Sequence, residues 1–347
     1  MDRKELDMSK FLILGDLHFR KCRSKEENEY RLNVLQFISD YMKLNKISHI
    51  IQLGDFFHDR KSVDVSLYNE VQNIFDKYFN GILESFEIVT GNHDVYYNNR
   101  NDISSLEMLK NIIPSLHITD EPDYSEVYKM TFLPWLNENN AEKFNEFLSK
   151  PNKYCFGHLE INGFEMMRGI LAKDSLEVSS FRHFDRVFSG HYHLTQDKGN
   201  ITYVGSVFQN DFGDYNDVKR FFVLDQVKDI IEEVKIPFVF FDKIIVNSEK
   251  DIDDCKIESY KDKNIQVILN IPSSIKRENF ISKISETLTN YNVIDNSQLC
   301  SEKVEISADE DLNNIFTDYI SQNKEYDERK KESLQSLFIE TYRKVCL

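Results

Sequence analysis

Glycine and proline are scarce in this 347-residue chain, at 11 and 6 copies, which excludes collagen-like, linker-like and low-complexity readings. The five cysteines (Cys22, Cys155, Cys255, Cys300, Cys346) are odd in number, far apart and never in a Cys-x-x-Cys pair. A disulfide framework and a thiolate zinc site are thereby disfavoured, and a reducing compartment fits. No apolar run approaches the ~18 residues needed to cross a bilayer. The charged start, Met1 to Lys10, leads only into Phe11–Leu14, too short for the apolar core of a secretion signal. Positive charge is also in deficit. With 43 Lys+Arg against 59 Asp+Glu, the net charge of -16 argues against a broad basic surface holding nucleic acid by charge alone. It leaves room for a local cationic site. The expectation is a soluble intracellular protein.

What is present is core material: 41% hydrophobic residues, with 26 Phe and 17 Tyr, in a length that allows two domains and a tail. Short apolar runs end abruptly in polar residues. Phe11–Leu14 runs into Gly15-Asp16-Leu17-His18, Ile50–Leu53 into Gly54-Asp55-Phe56-Phe57-His58, and Phe86–Val89 into Thr90-Gly91-Asn92-His93-Asp94. Tyr154–Phe156 leads to Gly157-His158, and Val187-Phe188 to Ser189-Gly190-His191-Tyr192-His193. Such runs read as buried strands. Between them, Val34, Phe37, Ile38, Tyr41, Met42 and Leu67, Val71, Ile74, Phe75, Tyr78 repeat with helical period. The alternation predicts an α/β layered domain, with every Asp/His/Asn cluster at a strand's carboxyl end, where such sheets gather ligands.

The pattern changes near Ile236. Strands at Ile244–Val246 and Ile265–Ile271, a helix over Ser274–Leu288 and a strand at Val293-Ile294 predict a small α+β unit. The expected division is residues 1–235, 236–300 and 301–347. In the last part, a polar acidic linker (Ser297 to Asp311) precedes amphipathic stretches at about Asp309–Gln322 and Asp327–Val345.

An Asp-x-His triplet alone is weak, since about one copy is expected by chance. Gly-Asn-His-Asp and Gly-His-x-His are different, with chance expectations of roughly 0.002 and 0.007 copies. Imidazole and carboxylate donors together suit borderline divalent ions such as Mn²⁺, Fe²⁺ or Zn²⁺. One carboxylate can bridge two ions and so clamp both oxygens of an in-line phosphoryl displacement. A site completed by neutral His and Asn keeps about one net positive charge, enough to attract a phosphodiester to an acidic protein.

These motifs resemble the calcineurin-like metallophosphoesterase superfamily, over residues 11 to 193. Within it the chain is similar to SbcD/Mre-type DNA nucleases, particularly the phage recombination endonuclease subunits, to which Leu133-Pro-Trp-Leu136 and Gly157-His-Leu-Glu-Ile-Asn-Gly-Phe164 add further likeness. Tyr203-Val-Gly-Ser206 resembles the family's Gly-Ser loop, with Val204 where cellular members often carry Pro. The resemblance implies a layered β-sandwich flanked by helices, a small α+β capping domain and C-terminal helices. It implies that Asp16, His18 and His193 hold one metal, that Asn92, His158 and His191 hold another, and that Asp55 bridges them. His93 would be the general acid, His58 would contact the phosphate or assist, and Asp94 would orient an imidazole. Two divalent ions are implied, Mn²⁺ first and Mg²⁺ as the alternative.

The implied activity is 3'-5' exonuclease and single-strand endonuclease action at DNA ends, in recombination and double-strand-break repair, in the host cytoplasm if the gene is a phage's. The implied partners are an SMC-like ATPase with a coiled coil, gripped by the C-terminal helices, and a second copy of the chain. Dimerisation would use helices at about Val65–Phe79 and Ile103–Ile112. Arg20, Lys21 and Arg23 form the densest basic stretch near the site, read either as a solvated loop or as contacts to the DNA backbone. His49, His117 and His183 fall outside the motifs and read as ordinary histidines, and Cys155 as a small core residue. Two other readings stand beside the nuclease. Phosphoprotein phosphatases carry Gly-Asp-x-x-Asp-Arg-Gly and Gly-Asn-His-Glu, from which this chain departs twice. An idle scaffold would not need every metal position filled.

Overall fold

Residues 10–297 and Lys331 are described by the computed structural model. The expected tail helices and most of the linker lie outside these residues.

The first sheet takes β1 (Lys10–Leu14), β2 (His49–Gln52), β3 (Ser85–Val89) and β4 (Leu116–Thr119) in parallel. The second contains β5 (Asp123–Ser125), β6 (Met130–Leu133), β7 (Asn152–His158), β10 (Phe184–Gly190), β11 (Gln196–Lys198) and β12 (Ile201–Tyr203). A small hairpin, β8 (Glu165–Met167) with β9 (Ile170–Leu171), lies between β7 and β10 in sequence. The chain then returns to the first sheet through β13 (Arg220–Asp225), antiparallel to β1, and β14 (Ile230–Lys235) on the edge. The strand orders are β14-β13-β1-β2-β3-β4 and β11-β12-β10-β7-β6-β5.

Alternation along β1 explains the layering. Phe11 and Ile13 point into a core between the sheets, meeting Phe132, Tyr154, Phe156 and Phe188 of the second sheet. Leu12 and Leu14 point the other way, onto α1 (Lys25–Asn45) and α2 (Val65–Tyr78). The second sheet's outer face is covered by α3 (Ala141–Leu148), through Phe144 and Leu148, and by the 3₁₀ turn Val178–Phe181. The result is a helix–sheet–sheet–helix stack. Each fully buried Phe or Ile between the sheets stabilises it by roughly 1.5–3 kcal/mol. The stripe Leu67, Val71, Ile74, Phe75 and Tyr78 of α2 is consumed by this core, so it is not a surface for a second copy. The expected helix at about Ile103–Ile112 is a 3₁₀ segment, Ser105–Asn111, with Leu106 and Leu109 buried.

Beyond β14 comes a three-stranded parallel sheet, β15 (Phe241–Val246), β16 (Asn264–Leu269) and β17 (Asn290–Asp295). The helices α4 (Glu249–Asp254) and α5 (Ile275–Thr287) accompany it, with Phe280 and Ile284 in its own apolar cluster. Residues just past 235 still belong to the first body. Ile236 N donates to Lys219 O (2.8 Å), and Ile236, Phe240 and Phe241 pack into the core under α1. No helix among the described residues is long and apolar enough to cross a membrane.

Candidate active site

Five parallel strands, β1, β2 and β3 of one sheet and β7 and β10 of the other, end side by side, and each delivers donors at its carboxyl end. The loops after them are tight. His18 (φ 43°), Asp55 (φ 53°) and His191 (φ 88°) all sit in the left-handed region. Such residues cost roughly 1–3 kcal/mol each and persist only where the surroundings over-determine them. Two glycines allow the loops to close. A Cβ on Gly91 would lie 2.3 Å from Asp55 Oδ1, and one on Gly190 would lie 2.4 Å from both Asp16 Oδ1 and Leu53 O. Gly91 and Gly190 are therefore space requirements of the clusters beside them.

Asp16, His18 and His193 converge in one group and Asp55, His158 and His191 in another, donor atoms within 4.8 Å of one another in each. Asn92 joins the second group, its Oδ1 2.9 Å from His158 Nε2 and 3.1 Å from His191 Nδ1. Asp55 stands between the groups: its Oδ2 is 3.6 Å from His18 Nε2 and 3.5 Å from His158 Nε2. Its Oδ1 is occupied by the N–H of His93 at 2.8 Å. One carboxylate oxygen thus faces both groups.

The electrostatics fit a cation. His18 Nε2 and His193 Nε2 face each other at 2.8 Å, and His18 Nδ1 is buried without a hydrogen-bond partner. Burial, reinforced by the neighbouring imidazoles, holds His18 well below the usual range and His191 down to about 3, so both are neutral at pH 7. Burial also lowers His193. For His158, burial opposes charging but the Asp55 carboxylate more than offsets it, raising the imidazole to about 9. His158 Nδ1 donates to Leu53 O at 2.7 Å, which leaves Nε2 facing the site. Burial raises Asp55, but His158 and His18 together hold it well below the ordinary carboxylate range, whereas burial drives Asp16 well above it. His18, His191 and His193, held uncharged around a central carboxylate, are donors that borderline divalent ions prefer, and His158 would join them by giving up its Nε2 proton to the ion's charge, so the residues present fit a two-ion site.

His93 and His58 form the rim. His93 Nδ1 donates to the His58 backbone carbonyl at 2.6 Å, and the two rings stack 5.8 Å apart. The His93 ring lies 4.9 Å from that of His18.

Asp94 requires a correction. It was expected to orient an imidazole, but its carboxylate accepts three backbone N–H groups instead: Asp55 N and Gly91 N on Oδ2 (both 2.8 Å) and Phe56 N on Oδ1 (2.9 Å). It is fully buried and staples the turn carrying Asp55 to the turn carrying Asn92. Burial and the adjacent Asp55 push it up to about 7. Two members of the basic stretch, read as a solvated loop or as contacts to the DNA backbone, are engaged within the fold. Arg20 and Arg23 are not free cations; both clasp the buried Glu27 and the Asn210 carbonyl. Lys21 is exposed, and its backbone carbonyl accepts from Arg20 Nη1 at 3.5 Å.

Several contributors went unread in the sequence. Arg31, buried in α1, donates to His18 O at 3.2 Å. Lys219, wholly buried, donates to His193 O (2.9 Å) and pairs with Asp214 (2.7 Å) and Asp217 (2.8 Å). The indole of Trp135 lies 5.1 Å from the His191 ring. Only the Asp-x-x-Asp-x-Lys spacing around Lys219 could have hinted at its role.

Residues 9–194 match the calcineurin-like phosphoesterase family over more than half of the chain. The chain belongs to that family. The calcineurin-like phosphoesterase fold implies divalent metal ions, and the His/Asp groups lie within the matched residues. Over 341 residues the phosphoesterase is 26% identical to exonuclease subunit 1 of Enterobacteria phage T4, covering 94% of this chain and 96% of that protein. The likeness therefore runs past the matched family domain, through the three-stranded parallel sheet.

Proposed function

We propose that this phosphoesterase is a Mn²⁺-dependent DNA nuclease that cuts phosphodiester bonds at DNA ends, acting as the nuclease subunit of a larger enzyme. The observation that carries the reading is Asp55 Oδ2, 3.6 and 3.5 Å from a histidine nitrogen of each donor group. A centre of that shape suits a phosphodiester, and the T4 relative's name, a subunit of an exonuclease, supports both the substrate and the existence of a partner.

In this reading Asp16, His18 and His193 would hold one ion, Asn92, His158 and His191 the other, and Asp55 would serve both. Such ions would supply electrophilic stabilisation of the phosphoryl oxygens and activation of the attacking water. The chain's own residues do the rest. His93, anchored through Nδ1 to the His58 carbonyl, keeps Nε2 for the leaving oxygen and returns a proton to it. His58 stacks on that imidazole and presents its exposed ring to the phosphate. Asp94 acts at one remove, fixing the backbone of both turns.

The three-stranded sheet with α4 and α5 serves as the cap over this face, and the segment beyond 300 recruits an SMC-like ATPase. Two copies assemble with two ATPase subunits in the cytoplasm, that of the host if the gene is a phage's. The test is turnover of bis-(p-nitrophenyl) phosphate and of end-labelled duplex DNA with Mn²⁺, alongside counted metal. Asp55→Asn should abolish turnover and weaken both ions, because one carboxylate serves two. Full activity with two ions bound in that variant refutes the reading. Deleting residues after about Ser307 should abolish co-purification with the ATPase and spare hydrolysis of the small diester.

A further inference from the structure

The loop after His93 carries groups that phosphoester hydrolysis itself does not need. Tyr96 and Tyr97 are 44% and 46% exposed, their rings 4.8 Å apart at 75°. Two neighbouring tyrosines open to solvent leave a sizeable apolar face uncovered, and the loop that holds them is pinned. Val95 bridges to Ser104, Tyr96 N donates to Ile103 O (3.0 Å), and Ser105 N donates to Asp94 O (2.8 Å). One guanidinium edges a ring: Arg100 Cζ lies 5.0 Å from the Tyr97 centroid, its Nε paired with Asp102 at 2.7 Å, while Arg60 bonds Asn98 Oδ1 on the same loop.

Arg60 comes two residues after His58, and Tyr96 three after His93. The Arg60–Asn98 bond therefore ties the aromatic pair to both imidazole-bearing loops. Three residues of chain reach at most ~11 Å. At about 3.4 Å per nucleotide along one strand, the rings stand within a few nucleotides of any phosphate at His93. A nucleobase suits an aromatic face edged by guanidinium, because each base has a π-face and brings a phosphate beside it.

We propose that Tyr96 and Tyr97 form a stacking platform for an unpaired nucleobase next to the scissile phosphate, with Arg60 and Arg100 beside its backbone. This rests on the nuclease reading and adds what the site selects: a frayed or single-stranded end whose base can leave the duplex stack. A double ion centre by itself would not distinguish one phosphodiester from another, and the platform favours the nucleotide form.

The test uses the full chain with Mn²⁺, bis-(p-nitrophenyl) phosphate, and single-stranded oligonucleotides carrying 2-aminopurine at one end or the other. The paired substitution Tyr96→Ala with Tyr97→Ala should lower oligonucleotide kcat/KM by roughly 5- to 150-fold, the usual scale for one stacked base. It should also abolish quenching of 2-aminopurine on binding, with hydrolysis of the small diester held within about twofold. Tyr96→Phe with Tyr97→Phe should restore both, because stacking needs the ring and not the hydroxyl.

Unchanged oligonucleotide kinetics in the alanine pair, with the wild-type chain active, overturns the platform and leaves the nuclease standing. Equal loss on both substrates overturns it too, as damage to the ion site. So does loss of self-association in sedimentation with oligonucleotide turnover intact, which would assign the rings to a second copy. If the wild-type chain hydrolyses neither substrate, the nuclease reading fails and the platform falls with it.

Discussion

Replacing Glu27 with Gln tests how the first ligand loop is held. Glu27 is 1% exposed, yet its carboxylate receives Arg20 Nη2 at 2.6 Å, Arg23 N at 2.7 Å and Arg23 Nε at 3.2 Å, with Arg31 Nη2 3.7 Å away. Burial works to raise its pKa, but the hydrogen bonds from Arg23 and the charges of Arg20 and Arg31 prevail and bring it from 4.5 to about 2. A displacement of that size corresponds to about 3 kcal/mol. Gln keeps the volume and removes the charge, leaving three guanidinium groups without their shared counter-ion, one of them buried and bonded to His18 O. The expected loss at pH 7 is therefore about 3 kcal/mol out of a total of roughly 5–15 kcal/mol. Urea unfolding should show it as a lower midpoint at unchanged slope. The sign with pH follows from a depressed folded-state pKa: the contribution is complete above pH 4.5 and is lost as pH falls towards 2. The gap between wild type and Glu27→Gln should narrow across that window. A variant within about 0.5 kcal/mol of wild type at pH 7, or a gap that ignores pH, would refute the reasoning.

Other outcomes follow from the same geometry. His93→Gln should keep both ions, counted by metal analysis, and lower DNA cleavage by roughly 10²–10⁴-fold; loss of metal would make His93 a ligand instead. Gly190→Ala places a carbon 2.4 Å from Asp16 Oδ1 and Leu53 O, so it should cost a few kcal/mol and impair binding of the first ion, by roughly the penalty of overpacking. Wild-type metal affinity and melting temperature in that variant would contradict the packing argument. His117 should titrate above its ordinary 6.5 by NMR, because its Nδ1 pairs with Glu87 at 2.9 Å, and Glu87→Gln should bring it back. The pair's stabilisation is present below about pH 6.5 and disappears as pH rises through the raised pKa.

The sequence alone carried what is encoded over short distances. Apolar runs such as Phe11–Leu14 and Ile50–Leu53 became β1 and β2 because a buried strand needs a run of nonpolar residues, whatever its partner. The periods in α1 and α2 marked the faces that now lie against the first sheet. Gly-Asn-His-Asp and Gly-His-x-His could be read because an ion centre demands donor types at fixed spacings along a loop. Strands with no apolar rhythm, such as Asp123–Ser125 and the edge strand Ile230–Lys235, exist only through their neighbours and gave no local signal. The meeting of Asp55 with His158, about a hundred residues later in the chain, depended on two sheets packing so that their strand ends align. The family resemblance implies that Asp94 orients an imidazole, whereas the turn geometry gives its carboxylate to three N–H groups. Arg20 and Arg23 looked free until α1 brought Glu27 beneath them. In each case the sequence determined which groups were available, and tertiary packing decided which of them were already satisfied, because a buried donor or acceptor takes the partner that the fold puts within reach.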